Sequence, residues 1–264
     1  MKGKIIESQS HGFKFEDIII DFIFDSDTVK DSIKLWKKID YTSIFDIPEY
    51  DYLSDFYKAN MANEIPFSKE EFKNSLKLDI DLPISIKSSK SSKSKNKKIE
   101  FGDIQRTIKN FSLYNVKRFS LIILGYKQEG IFKTIKDVVV VNLNKNNSVI
   151  KDITKFAKRG DGQTISEIKQ LVDSVKFLPR GTIEKEVKAK LRKDFKEYFQ
   201  EQLQLTPLIK IDSKNQRRVQ CSIKKIAFIN SQNEQDRRNT KILLDFVELN
   251  NIKIESSVRK IGKK

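Results

Sequence analysis

The sequence predicts an α/β fold, a sandwich core followed by a helical and β extension, on three observations. Apolar residues recur at helical spacing near the N-terminus and again from Asn146 onward. Between these stretches lie short runs with the alternation of strands, at 42–48, 83–87, 118–126 and 131–141. Taken in order, the segments read helix, strand, strand, helix, strand, strand, helices, which suits packed layers of both kinds of element. With 264 residues, 38% of them hydrophobic and 10% aromatic, the chain can bury a proper core despite 33% charged residues. That length allows one substantial domain or two small ones.

Residues 12–25 read as a first helix burying Phe and Ile. Asp27 is placed to cap a second, on which Val29, Ile33 and Trp36 share a face. The next strand carries Asp46 among apolar neighbours. Residues 49–80 are aromatic, acidic and irregular, with a short helix from Ser68, where Ser68-Lys69-Glu70-Glu71 fits a capping box. In Pro83–Lys87, alternation puts Ile84 and Ile86 on one face and Ser85 with Lys87 on the other. Residues 88–98 hold five Ser, five Lys and no acid, the composition of a mobile loop. Glu100-Phe101-Gly102-Asp103 opens a helix reaching Ile108 and Phe111. Strands at Arg118–Tyr126 and Ile131–Val141 flank a turn at Gln128-Glu129-Gly130. Apolar stripes through Ile165–Val175 and Val187–Phe199 predict helices, and Pro207–Ile211 and Gln216–Asn230 predict strands. A closing helix is expected at Thr240–Leu249, and a basic tail at Arg259–Lys264. The boundary falls near residue 145, giving a core at 1–145 and an extension at 146–264 that can also be continuous with it.

The formal net charge of +16 points to a polyanionic partner. No run approaches the roughly 18 apolar residues that span a bilayer, and the N-terminus lacks a signal-like apolar stretch, so a soluble cytoplasmic protein is expected. One Cys and one His exclude an intrachain disulfide framework and cysteine-based zinc sites. A hard cation held by carboxylates, such as Mg²⁺, suits this inventory better.

Phosphodiester cleavage needs a polarised phosphate, an activated water and charge compensation in the transition state. Asp46 and Lys87, on neighbouring strands, could hold a divalent metal and a water against a phosphodiester. Glu16 on the first helix, and Asp103 after the loop, are further candidate ligands, and Asp79 and Asp81 rival Asp46 for the metal role. Each has a plainer reading: Asp46 opening a turn, Glu16 solvated on its helix, Lys87 beginning the basic loop. Lys90 and Lys93 would contact phosphates without reading sequence. Gln216, Arg217, Arg218 and Gln220 carry the side chains that read adenine and guanine edges, although an ordinary solvent-facing strand has the same pattern. His11 more simply contacts backbone or solvent.

Four runs, His11-Gly12-Phe13-Lys14-Phe15-Glu16, Phe45-Asp46-Ile47-Pro48, Pro83-Ile84-Ser85-Ile86-Lys87 and Phe101-Gly102-Asp103, together resemble type II restriction endonucleases of the PD-(D/E)xK nuclease superfamily. Ile211–Ser222 is similar to a further segment of such enzymes. The resemblance spans Ser10 to Val141 and this separate block. It implies a central mixed sheet flanked by helices, a restriction-endonuclease-like core, Mg²⁺-dependent cutting of double-stranded DNA, and a homodimer. It assigns the metal-binding acid to Asp46 and the catalytic lysine to Lys87, and gives the later segment a share in DNA recognition. Ser85 departs from the pattern, which places Asp or Glu two residues before the lysine; Glu16 or Asp103 would then supply that carboxylate. Two alternatives stand beside it: a non-catalytic basic DNA-binding protein, and a repair or structure-specific nuclease of the same superfamily.

Overall fold

The computed structural model describes residues 10–40, 45–61, 64–90, 98–103, 118–144, 205–211 and 217–255. They fall into two compact units, both discontinuous in sequence. The first takes in residues 1–93, 118–142 and 232–264, so it recruits a C-terminal segment that the sequence reading assigned to the extension. The second comprises residues 94–117 and 143–231.

The first unit is built on a mixed sheet. Strand β1 (Ile84–Lys90) pairs in parallel with β3 (Arg118–Glu129), with Lys87 opposite Ile123. β3 turns at Gly130 and Ile131 into β4 (Phe132–Asn144), and β4 pairs antiparallel with β7 (Lys253–Glu255). Gly130 takes a φ of +58°, a left-handed conformation that glycine adopts without steric cost. Gly125 answers a different need: a Cβ there would lie 2.9 Å from Cβ of Asp137. β3 runs as an apolar stretch with Phe119 and Leu121–Leu124 all buried, as expected of a strand covered on both faces.

Helices cover this sheet. α1 (Ser10–Ile23) buries Phe15, Ile19, Ile20 and Ile23 along one stripe, and the Phe15 ring meets Tyr126 of β3 at 5.9 Å between centroids. α2 (Asp27–Ile39) is capped by Ser26, whose hydroxyl accepts from Val29 N–H; the expected cap, Asp27, is the first helical residue. α1 and α2 form an antiparallel hairpin, laced by Lys37 to Glu16 and Asp17, and by Lys34 to Asp21.

Where the sequence reading expected irregular chain there is a helix, α3 (Tyr50–Asn60), burying Leu53, Phe56 and Tyr57 at helical spacing. α4 (Lys69–Asn74) has the expected capping box at Ser68 and Glu71. α6 (Glu234–Leu249) starts well before the expected Thr240, because Asn233 and Asp236 form a reciprocal cap of their own. Its Phe246 stacks on Phe22 of α1 at 4.0 Å.

In the second unit, β2 (Lys98–Asp103), β6 (Arg217–Lys224) and β5 (Leu205–Ile211) form an antiparallel sheet in the order β2-β6-β5. β2 corrects the expectation of a helix opening at Glu100. Ile99 sits between Lys98 and Glu100 at a strand's period and pairs with Ile223 of β6, and Phe101 falls at a bulge between Glu100 and Gly102. The expected strand at 216–230 ends at Lys224 and passes directly into α5 (Lys225–Ser231), which buries Ala227 and Phe228. The two expected helices within 146–204 and the basic tail lie outside the described residues. No helix among the described residues is long and apolar enough to cross a membrane.

Candidate active site

The segment before α3 runs antiparallel to the start of β1. Ile84 N–H donates to the Ile47 carbonyl at 2.7 Å, and the N–H groups of Asp46 and Ile47 both donate to the Ile84 carbonyl. Buried Phe45 and Ile47 anchor this short edge and hold the backbone of Asp46 between them in place. Its Oδ2 accepts the Ile86 N–H at 2.6 Å, taking over the edge of β1 where backbone pairing stops. One residue further along β1, Lys87 places its Nζ 3.9 Å from the same Asp46 oxygen. Both side chains keep a window to solvent, Lys87 at 25% and Asp46 at 18% exposure.

Glu16 reaches this place from α1. Helical spacing sets it one turn before Ile19 and Ile20, at the margin of the buried stripe, and its side chain is 15% exposed. Burial, reinforced by the negative charge of Asp46, pushes its carboxyl up to about 7; the positive charges of Lys37 and Lys87 pull the other way. Glu16 Oε2 is 2.9 Å from Lys37 Nζ, yet this buried oxygen has no partner in hydrogen-bonding geometry. Two acids and two lysines, drawn from α1, α2, β1 and the edge segment, therefore influence one another in one half-buried place. A carboxyl perturbed by burial and a neighbouring charge, as that of Glu16 is, marks a candidate functional site.

The rival acids stand elsewhere. Asp79 and Asp81 precede β1, and Lys87 lies six residues beyond Asp81. Asp81 pairs with Arg118 at 3.4 Å, and its N–H donates to Asn142 Oδ1. The Asp79 carbonyl accepts from Asn239 Nδ2 at 2.6 Å. These are structural contacts.

Ser85, where the motif has an acid, is 4% exposed beside Leu121. Asp103 lies on β2 of the second unit, opposite Gln220 of β6, the strand that also carries Arg217 and Arg218. Lys90 ends β1, exposed, so the strand extends further into the basic run than expected. Lys93 and Gln216 lie outside the described residues. Arg238 pairs with Glu234 on its own helix.

Lys37 and Asp17 were not singled out by sequence. A signal did exist for Lys37: it follows Trp36 on the stripe of Val29 and Ile33, a lysine at a position that helical periodicity assigns to the core.

Among the described residues, no three or more His, Cys, Asp or Glu side chains group as a metal site. Glu16 and Asp46 form a two-carboxylate set. Mg²⁺ is commonly bound by one or two carboxylates with waters and substrate phosphate completing the shell, so hard oxygens, one of them buried without a hydrogen bond, fit such an ion. No family model, curated protein or solved structure matches the chain.

Proposed function

We propose that the chain is a metal-dependent DNA endonuclease of the PD-(D/E)xK type, acting as a restriction enzyme on double-stranded DNA. The observation that carries this reading is the meeting of Asp46, Lys87 and Glu16 at the edge of β1, with Asp46 rather than Asp79 or Asp81 beside the lysine. The net charge of +16 supplies the affinity for a polyanion.

Asp46 and Glu16 would hold Mg²⁺. The bound ion would polarise the scissile phosphate and lower the pKa of a coordinated water. Asp46 is the fixed member, since the Ile86 N–H holds its Oδ2. Glu16 is the adaptable one, its carboxyl balanced near neutrality by burial and by the charges around it. Lys87, on a core-anchored strand with solvent access, orients the attacking water and offsets the charge that builds on the phosphate. Arg217, Arg218 and Gln220 on β6 are the candidates for reading bases, with Gln216, Lys90 and Lys93 contributing contacts from flanking chain. Cutting both strands calls for two such sites, hence a homodimer.

One observation favours a second reading, a DNA-binding protein without catalysis: Ser85 leaves the usual acid position empty of charge. Digestion of plasmid or phage DNA separates the two. Discrete fragments that appear with Mg²⁺ and vanish with EDTA are expected. DNA binding without cleavage of several unmodified DNAs would favour the second reading, and a smear or cuts confined to branched substrates would replace restriction with a structure-specific activity.

A further inference from the structure

We propose that Lys37 is a positioning residue of this site, holding Glu16 where it can share a divalent cation with Asp46; the inference rests on the nuclease reading. Lysines beside an apolar stripe ordinarily extend the ammonium to water. Lys37 instead turns toward α1, with only 7% of its side chain exposed, between Glu16 Oε2 at 2.9 Å and Asp17 Oδ1 at 3.2 Å. Asp17, half exposed, anchors the ammonium from the solvent side, and Glu16 receives it from within. Two contacts to successive residues of α1 fix a flexible side chain in one place, and a fixed ammonium fixes the carboxylate beside it.

The geometry also leaves the site usable. Glu16 Oε2 faces the Lys37 ammonium at 2.9 Å outside hydrogen-bonding geometry, and a carboxylate has further lone pairs that could take a cation. Lys37 thus acts as an outer partner of a ligating carboxylate, from a helix that contributes no ligand itself.

A bare charge effect and a positioning effect have opposite signs. Deleting a positive charge next to a cation site should tighten cation binding if charge alone matters. Losing an outer partner that orients a ligand should weaken it, by about tenfold or more. The test is calorimetric Mn²⁺ binding to the full chain, beside cleavage at increasing Mg²⁺, for wild type, Lys37→Met, Lys37→Arg and Asp17→Asn. Lys37→Met should bind Mn²⁺ about tenfold or more weakly and need correspondingly more Mg²⁺ for half-maximal cleavage, with the rate largely recovered at saturating metal. Lys37→Arg should restore only part of the affinity and serves if Lys37→Met folds poorly, because its charge is unchanged and its shortfall from wild type reports position alone. Asp17→Asn, on the surface, should show a smaller loss in the same direction. Unchanged or tighter Mn²⁺ binding in Lys37→Met and Asp17→Asn would overturn the positioning role while leaving the nuclease reading intact. Absence of Mn²⁺ binding and of cleavage in the wild type would remove both.

Discussion

Two clusters of buried polar groups flank β1, one around the residues that precede it and one along its edge beside Ile86 and Lys87, and they are treated in opposite ways. In the first cluster, every group has a defined partner. Asn142 Oδ1 accepts the Asp81 N–H, with the Ser120 hydroxyl 2.6 Å away. Asp236, fully buried, takes the N–H of Asn142 on one oxygen and that of Asn233 on the other. Thr240 accepts from Val140 N–H, and Gln232 donates to the Val140 carbonyl. These side chains of the C-terminal segment complete the edge of β4 beyond the point where β7 stops pairing.

Along the edge of β1, Asp46, Lys87, Glu16 and Lys37 bring like charges together and leave an oxygen of Glu16 outside hydrogen-bonding geometry. Both clusters raise a carboxyl by burial, Asp236 and Glu16 alike. Only Asp236 is met by backbone donors on both oxygens. The contrast sets a satisfied polar network, which fastens a fold, against an unsatisfied one, where the proposed chemistry would sit.

If so, substitutions in the two clusters should separate activity from stability. The largest effect is expected in the acid and lysine cluster: Lys87→Ala or Asp46→Ala should lower cleavage by about 10²–10⁴-fold, measured by plasmid nicking, with DNA binding retained. In the satisfied cluster the loss should be in stability. Asp236→Ala strips acceptors from two buried N–H groups and should cost roughly 2–4 kcal/mol by urea unfolding, with cleavage at low temperature preserved.

Glu16→Gln should do the reverse. The Glu16 carboxyl is raised from 4.5 to about 7, so its unfavourable contribution is absent below the unfolded value and grows as pH rises through that window. Above about pH 7 the Gln variant should therefore be more stable than wild type, by on the order of 1–3 kcal/mol, with the advantage gone near pH 4 and cleavage impaired. Thermal melts across that pH range would show it. Smallest of all, Lys241→Ala, breaking an exposed pair with Asp245 on α6, should shift stability by less than about 0.5 kcal/mol and leave cleavage untouched.

Much of this architecture was legible in sequence, for identifiable reasons. β1, β3 and β4 carry strong alternating or continuous apolar patterns, and the Ser68 capping box is a local code read without tertiary context. The α3 helix was missed because Tyr50, Leu53 and Phe56 are interleaved with acids, which hid their helical spacing. At Glu100–Asp103, local composition favoured a helix, but pairing with a strand more than a hundred residues away decided the conformation. The C-terminal segment's place in the first unit was invisible for the same reason: Asn239 meets Asp79 across 160 residues.

Within the site, Asp46, Lys87 and Glu16 could be named because their apolar flanks imply anchoring. Asp46 ranks above Asp79 and Asp81 on its apolar flanks alone, and the backbone edge it closes is what sets it beside Lys87. Lys37 was hidden because a lysine on an apolar stripe is more often a side chain reaching for water, and only the position of α1 shows what it reaches instead.

The most direct test of the central claim is plasmid cleavage with and without Mg²⁺ by wild type and Asp46→Ala, with Asp81→Ala alongside. The account predicts Mg²⁺-dependent cutting by wild type and by Asp81→Ala at a temperature where it is folded, and none by Asp46→Ala, although it still binds DNA. Cutting by Asp46→Ala at the wild-type rate, or loss of cutting only in folded Asp81→Ala, would contradict the assignment of the active site to the edge of β1 beside Lys87.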